Sequence, residues 1–416
     1  MPMPRAPYVT LTASSALLLM TGPAIIGRSA DRSMAPAAPH IAPPILRPQP
    51  HWSPATLHQL LAAVDAARDE GLRPQDYQRD ELADALETGR SGHAVAVLAT
   101  LSARALARDY AEGRIRHRER FGWHIDHPVI TVRALEDDVA RAVNHQALTT
   151  YLGGLLPSDP RYAALRAALH DTPPDEEERV EHIRASMERW RWMPRMLGND
   201  YIWVNVPNYR LSLYEGDTAV ATHDVVVGAR HTPTPLISAQ IGSIIVNPWW
   251  TLPPTVMSEG KVRPGPGARS KGYVFGRTGD GRARIRQRPG PTNSLGRLKI
   301  DMPNAYAIYL HDTPAKALFA KQDRALSHGC VRVKDIADLA DRLIDPADID
   351  KAMSSTTTRT FQMGKTIPVY IVYFTAAPDP VGKVSIYDDP YDQDGALIAT
   401  LDHKHSVSKS SANPVS

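Results

Sequence analysis

Cys330 is the only cysteine among 416 residues, and it sits in Ser327-His328-Gly329-Cys330-Val331-Arg332, downstream of a second histidine, His311. A thiolate is a strong nucleophile for acyl transfer, and an imidazole close to it can take the thiol proton. A lone cysteine is more often a small buried hydrophobe than a catalyst. Two neighbours shift that balance. Gly329 suits a sharp turn that presents the sulfur and lets a substrate carbonyl approach the backbone. His328 and Arg332 make the surroundings polar and partly cationic, which is expected to favour thiolate over thiol.

His311 closes the run Ala305-Tyr306-Ala307-Ile308-Tyr309-Leu310-His311-Asp312-Thr313-Pro314. Alternation of Tyr306, Ile308 and Leu310 predicts a strand that stops at the Thr-Pro break, so His311 falls at a strand end, where side chains enter clefts. A base also needs a group that orients its ring. Asp312 is the nearest candidate, through its side chain or its backbone carbonyl.

His311-Asp312-Thr313-Pro314 followed by Ser327-His328-Gly329-Cys330-Val331-Arg332 resembles the signature of the L,D-transpeptidases, the YkuD-type catalytic domain of bacterial cell-wall enzymes. The resemblance extends to Val227-Gly228, Thr232-Pro233-Thr234-Pro235, Asn247-Pro248-Trp249, Pro253-Pro254 and Gly290-Pro291-Thr292-Asn293-Ser294-Leu295-Gly296, in the order of the long Gram-negative branch with an N-terminal helical scaffold. It implies that Cys330 attacks the amide between the third residue of a peptidoglycan stem and the following D-alanine. His311 then serves as base and later as acid, and Gly329 and Cys330 N–H groups hold the oxyanion. Tyr309 could add a hydroxyl donor. Arg332, two positions after Cys330, could clamp a stem carboxylate. Ser327, His328 and Arg324 are expected to shape or line the same substrate-binding loop. The implied partners are two stem peptides, donor and acceptor, with no metal and no cofactor. Water or a free D-amino acid as acceptor would make the protein an L,D-carboxypeptidase or an exchange enzyme, and an inactive wall-binding scaffold is the alternative outside enzymology.

Length suggests two domains plus tails. The formal net charge is only +3, from 48 basic and 45 acidic residues, so nothing argues for nucleic acid. The basic stretch Arg282 to Arg288 reads first as a solvated hairpin and only second as contact with an anionic wall polymer. A single cysteine excludes an internal disulfide. Oligomeric state is left open.

Arg5 and the uncharged stretch from Ala6 to Gly27 make residues 1–30 a signal peptide or an uncleaved anchor, directing the protein to the periplasm, at the inner membrane if the anchor stays. Residues 31–51 form a proline-rich linker. Helical spacing of Leu57, Leu60, Leu61 and Val64, and of later apolar residues, assigns residues 52–172 to a mainly α scaffold domain. His117, His124 and His127 lack metal-ligand spacing and read as surface residues. Residues 173–199 form a connecting helix with little space for an inserted glycan-binding module, and its Trp190 and Trp192 are expected at the domain junction. From residue 200 short alternating strands predict a β-sandwich or barrel-like catalytic domain with few helices, to residue 375. The overall class is α+β and multi-domain. Strands are expected over Tyr201–Val206, Arg210–Tyr214, Thr222–Val227, Gln240–Val246 and Ile367–Phe374, a short lid over Pro253–Tyr273, and an extension with a disordered tail over 376–416.

Overall fold

The computed structural model describes residues 49–127 and 129–403. The signal or anchor, most of the linker and the tail beyond His403 lie outside them. Ser53 starts the first helix, Pro54–Ala66: its Oγ accepts from the Thr56 N–H at 3.2 Å, and Thr56 Oγ1 accepts from the Ser53 N–H at 2.9 Å. This reciprocal cap satisfies donors that a helix start otherwise leaves free. Leu57, Leu60 and Val64 enter an apolar core with Leu82, Leu106, Leu135, Val143 and Leu152, all from helices of the first segment. No helix among the described residues is long and apolar enough to cross a membrane.

The second core belongs to the sheet, and it reaches back into the sequence further than residue 200. Ile115, Phe121, Trp123, Tyr162 and Leu165 all pack into it. Trp123–His124 is the reason: this two-residue strand pairs in parallel with Leu236–Gln240 and so joins the sheet edge. The helix Glu177–Arg191 then lies on the same core, with Trp190 stacked on Trp203 at 5.5 Å and Trp192 edge-on to Trp123 at 5.2 Å.

Eleven strands lie side by side in the order Trp123–His124, Leu236–Gln240, Pro368–Val372, Asp200–Asn205, Arg210–Glu215, Thr218–Gly228, Val331–Val333, Leu310–His311, Leu298–Asp301, Ser243–Val246 and Arg359–Gln362. A twelfth, Ala325–Ser327, runs parallel to the end of Thr218–Gly228. Two expected strands differ. Gln240–Val246 is broken at Gly242, whose N–H donates to the Asp301 carbonyl, so its halves pair with different neighbours. The run before His311 is strand only at Leu310–His311. Upstream, the Asn304 side chain accepts from the Tyr306 and Ile308 N–H groups and Ala307 takes a left-handed φ of 55°, which folds those residues into a loop.

The stretch Pro253–Tyr273 holds two short helices, Pro254–Ser258 and Pro266–Ser270, neither with a buried residue. They continue into a separate three-stranded sheet of Trp250–Thr251, Ala283–Gln287 and Tyr273–Arg277, so the arm is longer than the expected lid. Buried Asn293 and Gln287 pin its base, donating to the carbonyls of Pro248 and Arg288, and of Lys271 and Thr292.

The described part of the extension is built into the fold. Ala376–Pro378 and Val384–Ile386 pair, and the helix Asp394–Asp402 packs on Glu177–Arg191. Asp394 accepts from Arg189 Nη1 at 2.6 Å and from His182 Nδ1 at 2.8 Å, with the Arg189 side chain fully buried. Asp394→Ala strands that guanidinium in the interior, so unfolding in urea is expected to show a loss of about 3–5 kcal/mol. A wild-type midpoint for the variant would refute this account of the pair.

Candidate active site

Backbone and hydroxyl groups hold the cysteine turn together. Ser327 is buried at the end of its strand, its Oγ donating to the Cys330 carbonyl at 2.6 Å and accepting from the Gly329 N–H at 3.1 Å. Gly329 has φ 109°, a conformation that side-chain-bearing residues rarely adopt, and this lets the turn reverse within three residues. Val331 then enters a strand parallel to Leu310–His311, with Leu310 opposite Val331 and His311 opposite Arg332. Side chains paired in register share a face, so His311 and Arg332 lie on one side of the sheet, and the Tyr309 ring stands 5.6 Å from the His311 ring.

His311 is buried, and its Nδ1 lies 2.5 Å from the Asp312 carbonyl oxygen. With Nδ1 donating there, Nε2 keeps the lone pair that a base needs. The orienting group is therefore the Asp312 backbone. Its carboxylate is turned away, Oδ2 accepting from the Arg297 N–H at 2.9 Å and Oδ1 from Lys316 Nζ at 2.5 Å. Gly296 makes room for that carboxylate, because a Cβ there would come within 2.2 Å of Oδ2.

Cys330 is half-buried and its Sγ donates to the Ala307 carbonyl at 3.8 Å. No hydrogen bond joins the sulfur to His311. Cys330 is the last residue before the strand that pairs with Leu310–His311, and hydrogen bonds between a nucleophile and its base commonly tighten only with substrate bound. The Tyr309 hydroxyl lies beside the sulfur and the Trp250 side chain, with the Lys299 ammonium 4.2 Å from the Tyr309 ring centre.

The electrostatics reverse one expectation from sequence. Burial raises the Cys330 thiol above its ordinary value, although hydrogen bonding from Tyr309 and the charges of Lys299 and Arg332 oppose the rise. Burial, and then the Arg332 charge, push His311 down to about 3. The resting pair is thus a neutral thiol and a neutral imidazole. The His328 ring is engaged with the arm, its Nε2 2.5 Å from Glu259 Oε1.

Arg332 is half-buried, has no ion-pair partner among the described residues, and buries Nε without an acceptor. It is a cation without a counter-ion among the described residues, close enough to Cys330 for its charge to act on the thiol. Arg324 is spent within the protein, donating to the carbonyls of Phe319 and Tyr209 and pairing with Asp224 at 3.4 Å, so it shapes the loop and does not reach the site. The Cys330 N–H has no acceptor among the described residues, whereas the Gly329 N–H is taken by Ser327, which leaves one of the two expected oxyanion donors free. Thr234 reaches this turn, its Oγ1 donating to the Gly329 carbonyl, and Tyr391 reaches Thr234 and Gly228 behind it. No group of three or more histidine, cysteine, aspartate and glutamate residues among the described ones could hold a metal ion.

Arg332→Gln removes the positive charge that depresses His311, so the His311 pKa rises. Burial, the larger cause, remains, so the acid limb of Cys330 acylation is expected at higher pH in the variant than in the wild type but still below the ordinary histidine value. Identical profiles would show that burial alone sets the imidazole.

Residues 199–371 match the YkuD family, described as the L,D-transpeptidase catalytic domain, and residues 47–169 match the Scaffold domain family. A Haemophilus influenzae protein named "Putative L,D-transpeptidase" is 28% identical over 222 residues, 47% of this chain and 45% of its own length. The chain thus spans less than half of that relative. Among solved structures, Mycobacterium tuberculosis L,D-transpeptidase 1 aligns at 11% identity and TM-score 0.21 over 42% of this chain and 61% of that one. The catalytic domain of the E. faecium L,D-transpeptidase aligns at 15% identity and TM-score 0.22 over 42% of this chain and 98% of that one. Over residues 199–371 the chain belongs to the YkuD family of L,D-transpeptidase catalytic domains, preceded by a Scaffold domain over residues 47–169.

Proposed function

We propose that this protein is an exported peptidoglycan L,D-transpeptidase that cross-links stem peptides through a thioacyl enzyme at Cys330. The reading is supported by the pairing of Leu310–His311 with Val331–Arg332, the two residues directly after Cys330, inside the family's catalytic segment. Sγ adds to the carbonyl carbon of the donor amide as His311 Nε2 takes the thiol proton. The Cys330 N–H and the Tyr309 hydroxyl hold the oxyanion. Collapse breaks the C–N bond, and the imidazolium returns its proton to the departing D-alanine amine. An amine from a second stem then attacks the thioester and gives its proton to His311. The amide forms, and the leaving sulfur recovers the proton.

Neutral partners suit this sequence, because a low-pKa imidazolium is a ready acid for the leaving amine. Arg332 matches a donor carboxylate, which would give it the counter-ion that it otherwise lacks. Incubation with purified disaccharide tetrapeptide tests the reading. Cross-linked dimer with free D-alanine is the expected result. Tripeptide alone would make the protein a carboxypeptidase, and no product with any acceptor would overturn the proposal.

A further inference from the structure

The extension that follows the catalytic family segment reaches the 228–234 loop, which in turn grips the cysteine turn. Tyr391 lies beyond residue 371, where the family match ends. Its hydroxyl accepts from the Thr234 N–H at 3.1 Å and donates to the Gly228 carbonyl at 2.8 Å, so one oxygen ties together the two ends of the 228–234 loop. Thr234 Oγ1 in turn accepts from the Gly228 N–H at 2.8 Å and donates to the Gly329 carbonyl, also at 2.8 Å.

That last bond bears on the chemistry because the Gly329 carbonyl and the Cys330 N–H belong to one peptide unit. A trans peptide is planar, with its C=O and N–H pointing in opposite directions. Holding the carbonyl on Thr234 therefore fixes the direction of the Cys330 N–H on the other side. This N–H is the donor with no acceptor among the described residues. Gly329, at φ 109°, supplies little restraint of its own, so the peptide's orientation depends on what grips the carbonyl.

We propose that Tyr391 and Thr234 are positioning residues that aim the Cys330 N–H at the developing oxyanion, Tyr391 acting through Thr234. The inference rests on the acyl-transfer reading given above. Tyr391 is itself held in place. Its N–H donates to the Tyr373 hydroxyl at 2.9 Å, the two rings stack at 5.5 Å, and the Tyr373 hydroxyl donates to Asp389. Asp389 also accepts from the Asp394 N–H at 2.7 Å, at the start of the terminal helix. The extension thus acts as a strap from the helical side of the molecule to the catalytic peptide.

Two reactions of the same sulfur separate aiming from folding. Acylation by a carbapenem passes through a tetrahedral oxyanion, whereas alkylation by iodoacetamide does not. In the full chain, Tyr391→Phe keeps the stacked ring and is expected to slow acylation about tenfold or more while leaving the alkylation rate unchanged. Thr234→Val should slow acylation further, because losing one oxyanion donor typically costs about 10²–10³ in rate. Thr234→Ser keeps the hydroxyl and should restore most of the rate. Wild-type acylation in Tyr391→Phe, an equal fall in both reactions, or no rescue by serine would overturn the positioning role. A wild-type protein that alkylates at Cys330 but never acylates would instead overturn the acyl-transfer reading, and the positioning role with it.

Discussion

Cys330→Ala is expected to abolish cross-linking and D-alanine release, a loss on the order of 10⁴-fold or more, and to leave a protein that takes no carbapenem adduct by intact mass. The substitution removes one sulfur from a half-buried site whose turn is held by Ser327, Thr234 and backbone groups, so stability should change by less than about 1 kcal/mol. Cys330→Ser should be almost as inactive. An imidazole pushed down to about 3 is too weak a base to activate a hydroxyl, whereas a thiol lies far closer in acidity. Only sulfur fits this histidine. Turnover by the alanine variant would place the nucleophile elsewhere, since no second cysteine exists to replace it.

The legible parts of the molecule were those whose signal is local. Helical spacing from Leu57 to Val64 and alternation over Arg210–Tyr214 report burial on one face of one element, and the structure buries those faces, whereas Asp200–Asn205 is buried on both. The cysteine turn was readable for a related reason, because its glycine, serine and cysteine lie within four residues. What escaped was long-range. Trp123–His124 is too short to carry a period, and only its pairing with Leu236–Gln240 makes it part of the catalytic core. Asp312 faces away because Gly296, distant in sequence, leaves space for its carboxylate. Tyr391 meets Gly228 across more of the chain than any pattern spans. The thiolate expectation failed because neighbouring charges can be counted in a sequence and desolvation cannot, and here burial is the larger effect on both the thiol and the imidazole.

His311→Gln provides the sharper test of how that neutral pair works. The thiol remains, but its proton must leave to solvent before attack, and burial holds the Cys330 pKa above its ordinary value. At neutral pH the thiolate fraction is therefore smaller than the few per cent of a free cysteine, and acylation should fall on the order of 10²–10⁴-fold. The direction of the pH effect follows from the same shift. As pH rises toward the thiol pKa, each unit should give the variant about tenfold more thiolate and hence about tenfold more rate, until the thiol is fully ionised. The wild type has a base that stays unprotonated down to about pH 3, so its rate should remain nearly flat across the neutral range. A variant profile parallel to that of the wild type would mean that His311 does not take the proton. In that case activation would fall to the other groups at the sulfur, the Tyr309 backbone and hydroxyl and the charges of Lys299 and Arg332.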